Sequence, residues 1–208
     1  MKLSCPACGA EIVFKSRSST FGVCSFCNST LVRHDKDIES LGKMSEMPQD
    51  LSPLKLGTTG VFEKSNFEIV GRQRIGWENG AWNEWYLHFD NGKEGWLAEA
   101  QGFYMVSFQV FEKIKIPDLS SLKVAEPIRI HEINFAVEDI REVACIASQG
   151  ELPLLSIQGR KSTSVDLVGK NEQFANIDYS SDGNRLFFGK YIDFDNLKFM
   201  NLRELSGW

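Results

Sequence analysis

The chain has 208 residues, 42% hydrophobic and 25% charged, an ordinary globular balance that excludes disordered, collagen-like and disulfide-scaffold proteins. Its 23 Lys and Arg against 28 Asp and Glu give a net charge of -5, which weakens a wholly nucleic-acid-coating reading. No apolar run approaches the ~18 residues of a membrane helix, and the N-terminus lacks signal-peptide character, so the expected location is cytoplasmic.

The first element in the chain is a cysteine constellation. Four of the five cysteines, Cys5, Cys8, Cys24 and Cys27, fall in the pattern C-x2-C-x15-C-x2-C, the spacing of a four-cysteine zinc site. Two residues between cysteines let a tight turn aim both thiolates at one point, and two such turns complete a tetrahedron around Zn2+. Gly9 and Asn28 follow the second cysteine of each pair, where a turn often needs positive φ. Disulfides and a thioredoxin-type motif fit less well, because no secretion signal and no βαβ unit accompany the cysteines. Iron on four thiolates has the same spacing. With all four positions taken by sulfur, the expected role of the zinc is structural.

These residues resemble a zinc ribbon, assigned to residues 1–34, with strands at Glu11–Phe14 and Thr30–Arg33. Ribbons of this kind read nucleic acid, dock proteins or serve as folding staples. Residues 1–34 carry a balance of +3, so the remainder sums to -8; four thiolates around a divalent ion bring the ribbon to about +1. Lys15 and Arg17, in the loop Lys15–Thr20, are the candidate ribbon contacts to phosphate or an acidic partner. A solvated hairpin tip is the plainer reading.

Residues 35–53 are charged and then proline-bearing, without a firm period; they are assigned as a linker. Residues 54–208 read as β-rich. Strand candidates are Phe67–Ile75, Trp82–Phe89, Glu94–Glu99, Phe103–Phe111, Ile128–His131, Glu142–Ala147, Ser164–Val168, Phe174–Tyr179 and Leu186–Phe194. Asn91-Gly92 predicts a two-residue hairpin turn and Asp182-Gly183 a second hairpin. The expected fold is mainly β, a small ribbon followed by a barrel or sandwich.

Within Trp82–Phe89, strand alternation puts Asn83, Trp85, Leu87 and Phe89 on one face, which should meet the core. Trp82, Glu84, Tyr86 and His88 take the other face, aromatic and polar together, and form the candidate contact surface; packing beneath another layer is the competing reading. Glu84 and His88 lie about 13 Å apart along the strand, too far for a hydrogen-bonded acid/base pair. No nucleophile elbow, phosphate loop or dinucleotide glycine pattern occurs. Cys145, in Val143–Ala147, reads as a buried small hydrophobe. An enzyme is therefore unsupported by motif, and no catalytic residue is assigned.

The body resembles a bacterial family known as domain of unknown function 4178. The resemblance is carried by Phe67–Arg72, Trp82–Leu87, Gly95-Trp96-Leu97, Gly150-Glu151-Leu152-Pro153 and Gly189–Ile192. The chain departs from it at Leu154, where members often carry Trp. Members often follow an N-terminal C-x-x-C ribbon, and the family supplies no catalytic residues. Read on its own, Gly150–Pro153 looks like a strand end, with Gly150 at an unusual backbone angle and Pro153 removing a ladder donor. The leading expectation is a non-enzymatic zinc-binding adaptor that contacts another protein through its ribbon or aromatic face. The alternatives are nucleic-acid binding by the ribbon hairpin, and an enzyme or sensor holding a small molecule in the β-domain.

Overall fold

A computed structural model describes residues 2–35 and 37–204. The ribbon contains β1 (Lys2–Ser4), β2 (Glu11–Val13), β3 (Phe21–Val23) and β4 (Ser29–His34). β1 and β2 form a hairpin of their own, while β3 and β4 belong to a second sheet. That sheet gains β5 (Asp37–Lys43), which pairs with β4. The stretch assigned as a linker is therefore a strand in its first part. Its second part runs along the body, burying Met44 and Ser52 and leading into the buried Leu54.

The body is built from β6 (Thr59–Phe62), β7 (Ser65–Trp77), β8 (Gly80–Phe89), β9 (Glu94–Ala100), β10 (Phe103–Gln109), β11 (Pro127–Ile130), β12 (Ile133–Leu152), β13 (Lys161–Val168), β14 (Gln173–Ser180) and β15 (Arg185–Tyr191). Two short 3-10 turns, Leu119–Ser121 and Phe194–Leu197, lie outside the sheet. No helix among the described residues is long and apolar enough to cross a membrane. Most predicted strands occur with extended ends, but β10 stops at Gln109, short of Phe111, and β11 stops at Ile130, short of His131. Glu142–Ala147 is the middle of the 20-residue β12, and residues 192–194 leave β15 for the 3-10 turn. The Asn91-Gly92 turn is longer than expected: Phe89 N–H bonds to the Lys93 carbonyl and Gly92 takes φ 78°, the three-residue hairpin loop with a left-handed third residue.

Every pairing is antiparallel, and the order β7-β8-β9-β10-β15-β14-β13-β12 returns to β7. Length makes this closure possible. β12 pairs with β13 through residues 136–144 and with β7 through residues 144–150. Its last two residues, Glu151 and Leu152, leave the barrel and pair with Gly22 and Phe21 of β3. One strand thus belongs to both barrel and ribbon.

The two main apolar cores lie outside this ring. Trp85, Leu87, Leu97 and Val106 face outward and are covered by Leu54 of the wrapping segment and by Leu197 near the C-terminus. On the other side, Val165, Leu167, Ala175 and Ile177 are covered by residues of the 110–130 connection, including Leu122 and Ile130. Alternation therefore sends the polar residues of these strands into the lumen.

In the ring, Gly71 on β7 stands opposite Gly150 on β12. Gly150 has φ 69°, the unusual angle anticipated from sequence. A Cβ on Gly71 would stand 1.9 Å from the Glu151 carbonyl oxygen. Backbone cannot yield cheaply there, so Gly71→Ala is expected to destabilise by about 3 kcal/mol. A urea midpoint unchanged from wild type would show that the strands can part.

Candidate functional site

The cysteine knuckles repeat one local geometry. In the first, Gly9 N–H bonds to Cys5 carbonyl and Cys5 N–H to Ala10 carbonyl; in the second, Asn28 N–H bonds to Cys24 carbonyl and Cys24 N–H to Ser29 carbonyl. Gly9 at φ 78° and Asn28 at φ 56° supply the left-handed residue each turn needs. The four sulfurs converge within 4.8 Å of one another. Cys5 Sγ lies 3.8 Å from Cys27 Sγ, and Cys8 Sγ lies 3.8 Å from Cys24 Sγ. Tetrahedral sulfur ligands at ~2.3 Å from a zinc ion stand about 3.8 Å apart, so the cluster fits a tetrahedral metal ion. Ser29 Oγ lies 3.1 Å from Cys27 Sγ, placed to support a thiolate from outside the ligand set.

The ribbon loop is docked on the barrel. Glu151 accepts from the backbone N–H groups of Lys15, at 2.8 Å, and Ser16, at 3.2 Å. Ser16 Oγ donates to Glu94 and lies 3.4 Å from Tyr86 Oη. Lys15 Nζ pairs with Glu68. The expectation of a solvated tip thus fails at its root: Ser16 is buried and Lys15 is engaged. Arg17 points its side chain outward, while its carbonyl accepts from Arg33. An apolar cluster completes the joint, bringing Phe21 and Met44 of the ribbon side against Val70, Tyr86, Trp96, Leu152, Leu154 and Phe187. Gly150–Pro153 is the strand end that the sequence suggests, β12 stopping at Leu152, and it is also the ribbon's docking platform.

The candidate contact surface of Trp82, Glu84, Tyr86 and His88 is divided by this arrangement, with the competing reading, packing beneath another layer, realised at Tyr86. Trp82 and Glu84 line a cavity of about 270 Å3 inside the barrel. Tyr86 is buried under the ribbon, and burial pushes its hydroxyl pKa well up. His88 sits between Glu68 and Glu94 in the sheet, with a buried Nδ1 that has no hydrogen-bond partner. The opposite face behaves as anticipated: Trp85, Leu87 and Phe89 are core residues. Cys145 is buried against Ile75 and Val143, and burial holds its thiol pKa up. His131 is exposed in the turn between β11 and β12, away from the cavity.

Residues from all eight ring strands line the lumen. Glu84 accepts from Gln73 Nε2 at 2.6 Å and Trp82 Nε1 at 2.9 Å. Asp166 accepts from Asn176 Nδ2 at 2.8 Å. Burial raises the pKa of both carboxyls, that of Asp166 to about 6, with the charges of Asp139 and Glu138 adding to it. The arginines are paired: Arg160 with Asp178 and Asp182, and Arg141 with Asp139. Arg141 also lies 4.5 Å from the Trp77 ring centroid, and Trp77 packs 5.4 Å from Trp82. Trp96, Leu154 and Phe187 form the apolar end of the cavity against the ribbon. Toward the other side, Ala100, Gln101, Met105 and Asp166 line both the cavity and an outer groove of about 1000 Å3. None of this enclosure is visible in a linear reading, because its walls come from eight strands spread over more than a hundred residues. The alternating polar positions of β13 and β14 were the available signal.

The family model for the domain of unknown function (DUF4178) matches residues 55–194, beginning ahead of β6 and ending just past β15. No curated protein and no solved structure matches the chain. The match covers about two thirds of the sequence and the whole ring of strands: the chain belongs to the DUF4178 family, and its barrel is the domain that defines it.

Proposed function

We propose that this protein is a β-barrel that binds a small polar molecule in its lumen, with Zn2+ on Cys5, Cys8, Cys24 and Cys27 as the structural staple of a ribbon that closes one end. The observation that carries the reading is the cavity inside the ring, lined by Glu84, Asp166 and Asn176 beside the indoles of Trp77 and Trp82 and sharing part of its lining with an outer groove. Folded chains bury polar side chains at a cost, and here apolar side chains face outward under covering arms while carboxylates face inward. A barrel optimised only for stability would fill its interior with the apolar set.

The nucleic-acid alternative loses its main support once Lys15 is held by Glu68 and its backbone by Glu151. The adaptor reading retains one supporting observation, Phe26, which stands 76% exposed on the second knuckle where a protein partner would meet the ribbon.

The tryptophans supply the test. Trp77, Trp82 and Trp96 line the cavity, whereas Trp85 faces the outer core. Titration with a mixture of small polar fragments is expected to shift the indole N–H resonances of the three lumen tryptophans and leave Trp85 unmoved. Shifts confined to surface amides, with the lumen indoles silent, would refute lumen binding.

A further inference from the structure

The lumen's charge balance is specific about its guest. Both cavity-lining arginines, Arg141 and Arg160, already have carboxylate partners. Glu84 and Asp166 have none: among the described residues no Lys, Arg or His lies within ion-pair distance of either. Each accepts hydrogen bonds only from neutral groups, Gln73 and Trp82 for one and Asn176 for the other. They lie on β8 and β13, two strands that are not neighbours in the ring, and both line the one cavity. The outer groove repeats the sign, with Glu63, Glu138, Asp166, Glu172 and Asp193 against Lys190 alone. A negative groove beside a low-dielectric cavity concentrates cations and repels anions.

Resting on the lumen-binding reading, we propose that the guest is a small organic cation, its positive group held by Glu84 and Asp166 and its carbon skeleton against Trp82. An ammonium or amidinium group gives both carboxyls a directly bonded cationic partner, where Asp166 has only the more distant charge of Arg141, offset by Asp139 and Glu138. The indole face adds the ring surface on which organic cations settle. A hydrated metal ion uses neither the indole nor the apolar end made by Trp96 and Phe187. A neutral sugar leaves both carboxylates uncompensated.

The full metal-loaded chain is titrated with benzylammonium, benzyl alcohol and benzoate, three probes of nearly one shape and different charge. Readouts are calorimetry and the Trp82 indole resonance. Benzylammonium is expected to bind one to one with roughly millimolar affinity, ordinary for a ligand of this size, with the alcohol at least about tenfold weaker and benzoate silent. Glu84→Gln and Asp166→Asn should each weaken benzylammonium about tenfold or more and leave the alcohol unaffected. Affinity should fall as pH drops below about 6, where Asp166 holds its proton.

Because a raised carboxyl pKa means the folded state binds a proton more tightly than the unfolded chain, stability contributed by Asp166 is lost between about pH 4 and pH 6 as pH rises. Asp166→Asn is therefore expected to unfold at higher urea than wild type above pH 6, even as it loses the probe. A merely structural Asp166 gives the reverse, lower stability with binding intact. If the alcohol or benzoate saturates the lumen as well as the cation does, the cation proposal falls and lumen binding stands. If none of the three moves the lumen indoles, both fall.

Discussion

Stripping the metal, by chelation or by Cys24→Ser, is expected to unfold the ribbon and uncover one end of the barrel while most of the barrel wall stays folded. A ribbon of this size has little apolar interior beyond Cys5, Cys24 and Leu31, so its folding free energy comes from the metal; structural zinc contributes on the order of 10 kcal/mol. The damage then spreads along β12. Its last residues pair with β3, Glu151 loses the two backbone donors of Lys15 and Ser16, and Phe21 leaves its place against Tyr86, Trp96 and Leu152. Removing one such buried aromatic costs about 3 kcal/mol, which for a chain of this length lowers the barrel's melting temperature by roughly 10 °C. Hydrogen exchange should accelerate at residues 147–152, and a dye that reports exposed apolar surface should bind. Metal analysis before stripping identifies the ion, with one zinc per chain expected. Unchanged exchange in residues 147–152 of the metal-free protein would mean that the ribbon and barrel are independent.

That coupling also shows what the sequence could and could not express. The cysteine ligands were legible because ligand spacing is a local, chemical constraint: two knuckles need the same turn whatever surrounds them. Strand positions were legible for a similar reason, since Trp85, Leu87 and Phe89 alternate with polar neighbours and a strand converts alternation into faces. Which face looks inward was not legible. In a sandwich the apolar face is the inside; in this ring it is the outside, because Leu54, Leu122 and Leu197 come from distant parts of the chain to cover it. The lumen, and the roles of Glu84 and Asp166 in it, follow from closure of β7 on β12. Pairing between strands so far apart leaves no periodic mark in either of them. The linker assignment fails on the same ground. Asp37–Lys43 is mostly exposed and lacks the apolar alternation of a half-buried strand, so its pairing with β4 comes from hairpin geometry alone. Gly150–Pro153 showed its glycine angle in sequence, but its partner was in the ribbon, more than a hundred residues away.

Asp50 lies between β5 and Leu54, in the segment that wraps the barrel, and its replacement by Ala is expected to cost the barrel about 3–5 kcal/mol. Its carboxylate accepts from Arg72, from Arg74 at 2.7 Å, from Arg203 at 2.9 Å and from Asn83 Nδ2 at 3.1 Å. Arg203 further donates to the Ser52 carbonyl, so one acid ties the wrapping segment, two positions of β7, one of β8 and the C-terminal segment together. The Asp50 and Arg72 side chains are only 9% and 5% exposed, and the Arg72 guanidinium lies 4.5 Å from the Trp85 ring centroid. Removing the acid strands this cation under protein, and the penalty of an unpaired buried charge exceeds the worth of the pair itself. Burial pushes the Asp50 pKa up, but Arg72, Asn83 and Arg203 together outweigh burial and hold it below the usual carboxylate range. The sign follows: a depressed folded pKa gives stability that is present above about pH 4, the unfolded value, and is lost as pH falls through the folded one. Asp50→Asn keeps the acceptor oxygen and loses the charge, so it should fall between wild type and Asp50→Ala. Adding Arg72→Met to Asp50→Ala removes the stranded cation and should recover part of the loss. These outcomes are read as urea midpoints at constant m-value at pH 7, with Asp50→Ala and wild type converging toward acid pH. An Asp50→Ala midpoint within about 0.5 kcal/mol of wild type at pH 7, the range of an ordinary surface substitution, would mean that the four donors find water or other partners and that Met44, Leu54 and the backbone bonds from Arg203 suffice to hold the wrapping segment.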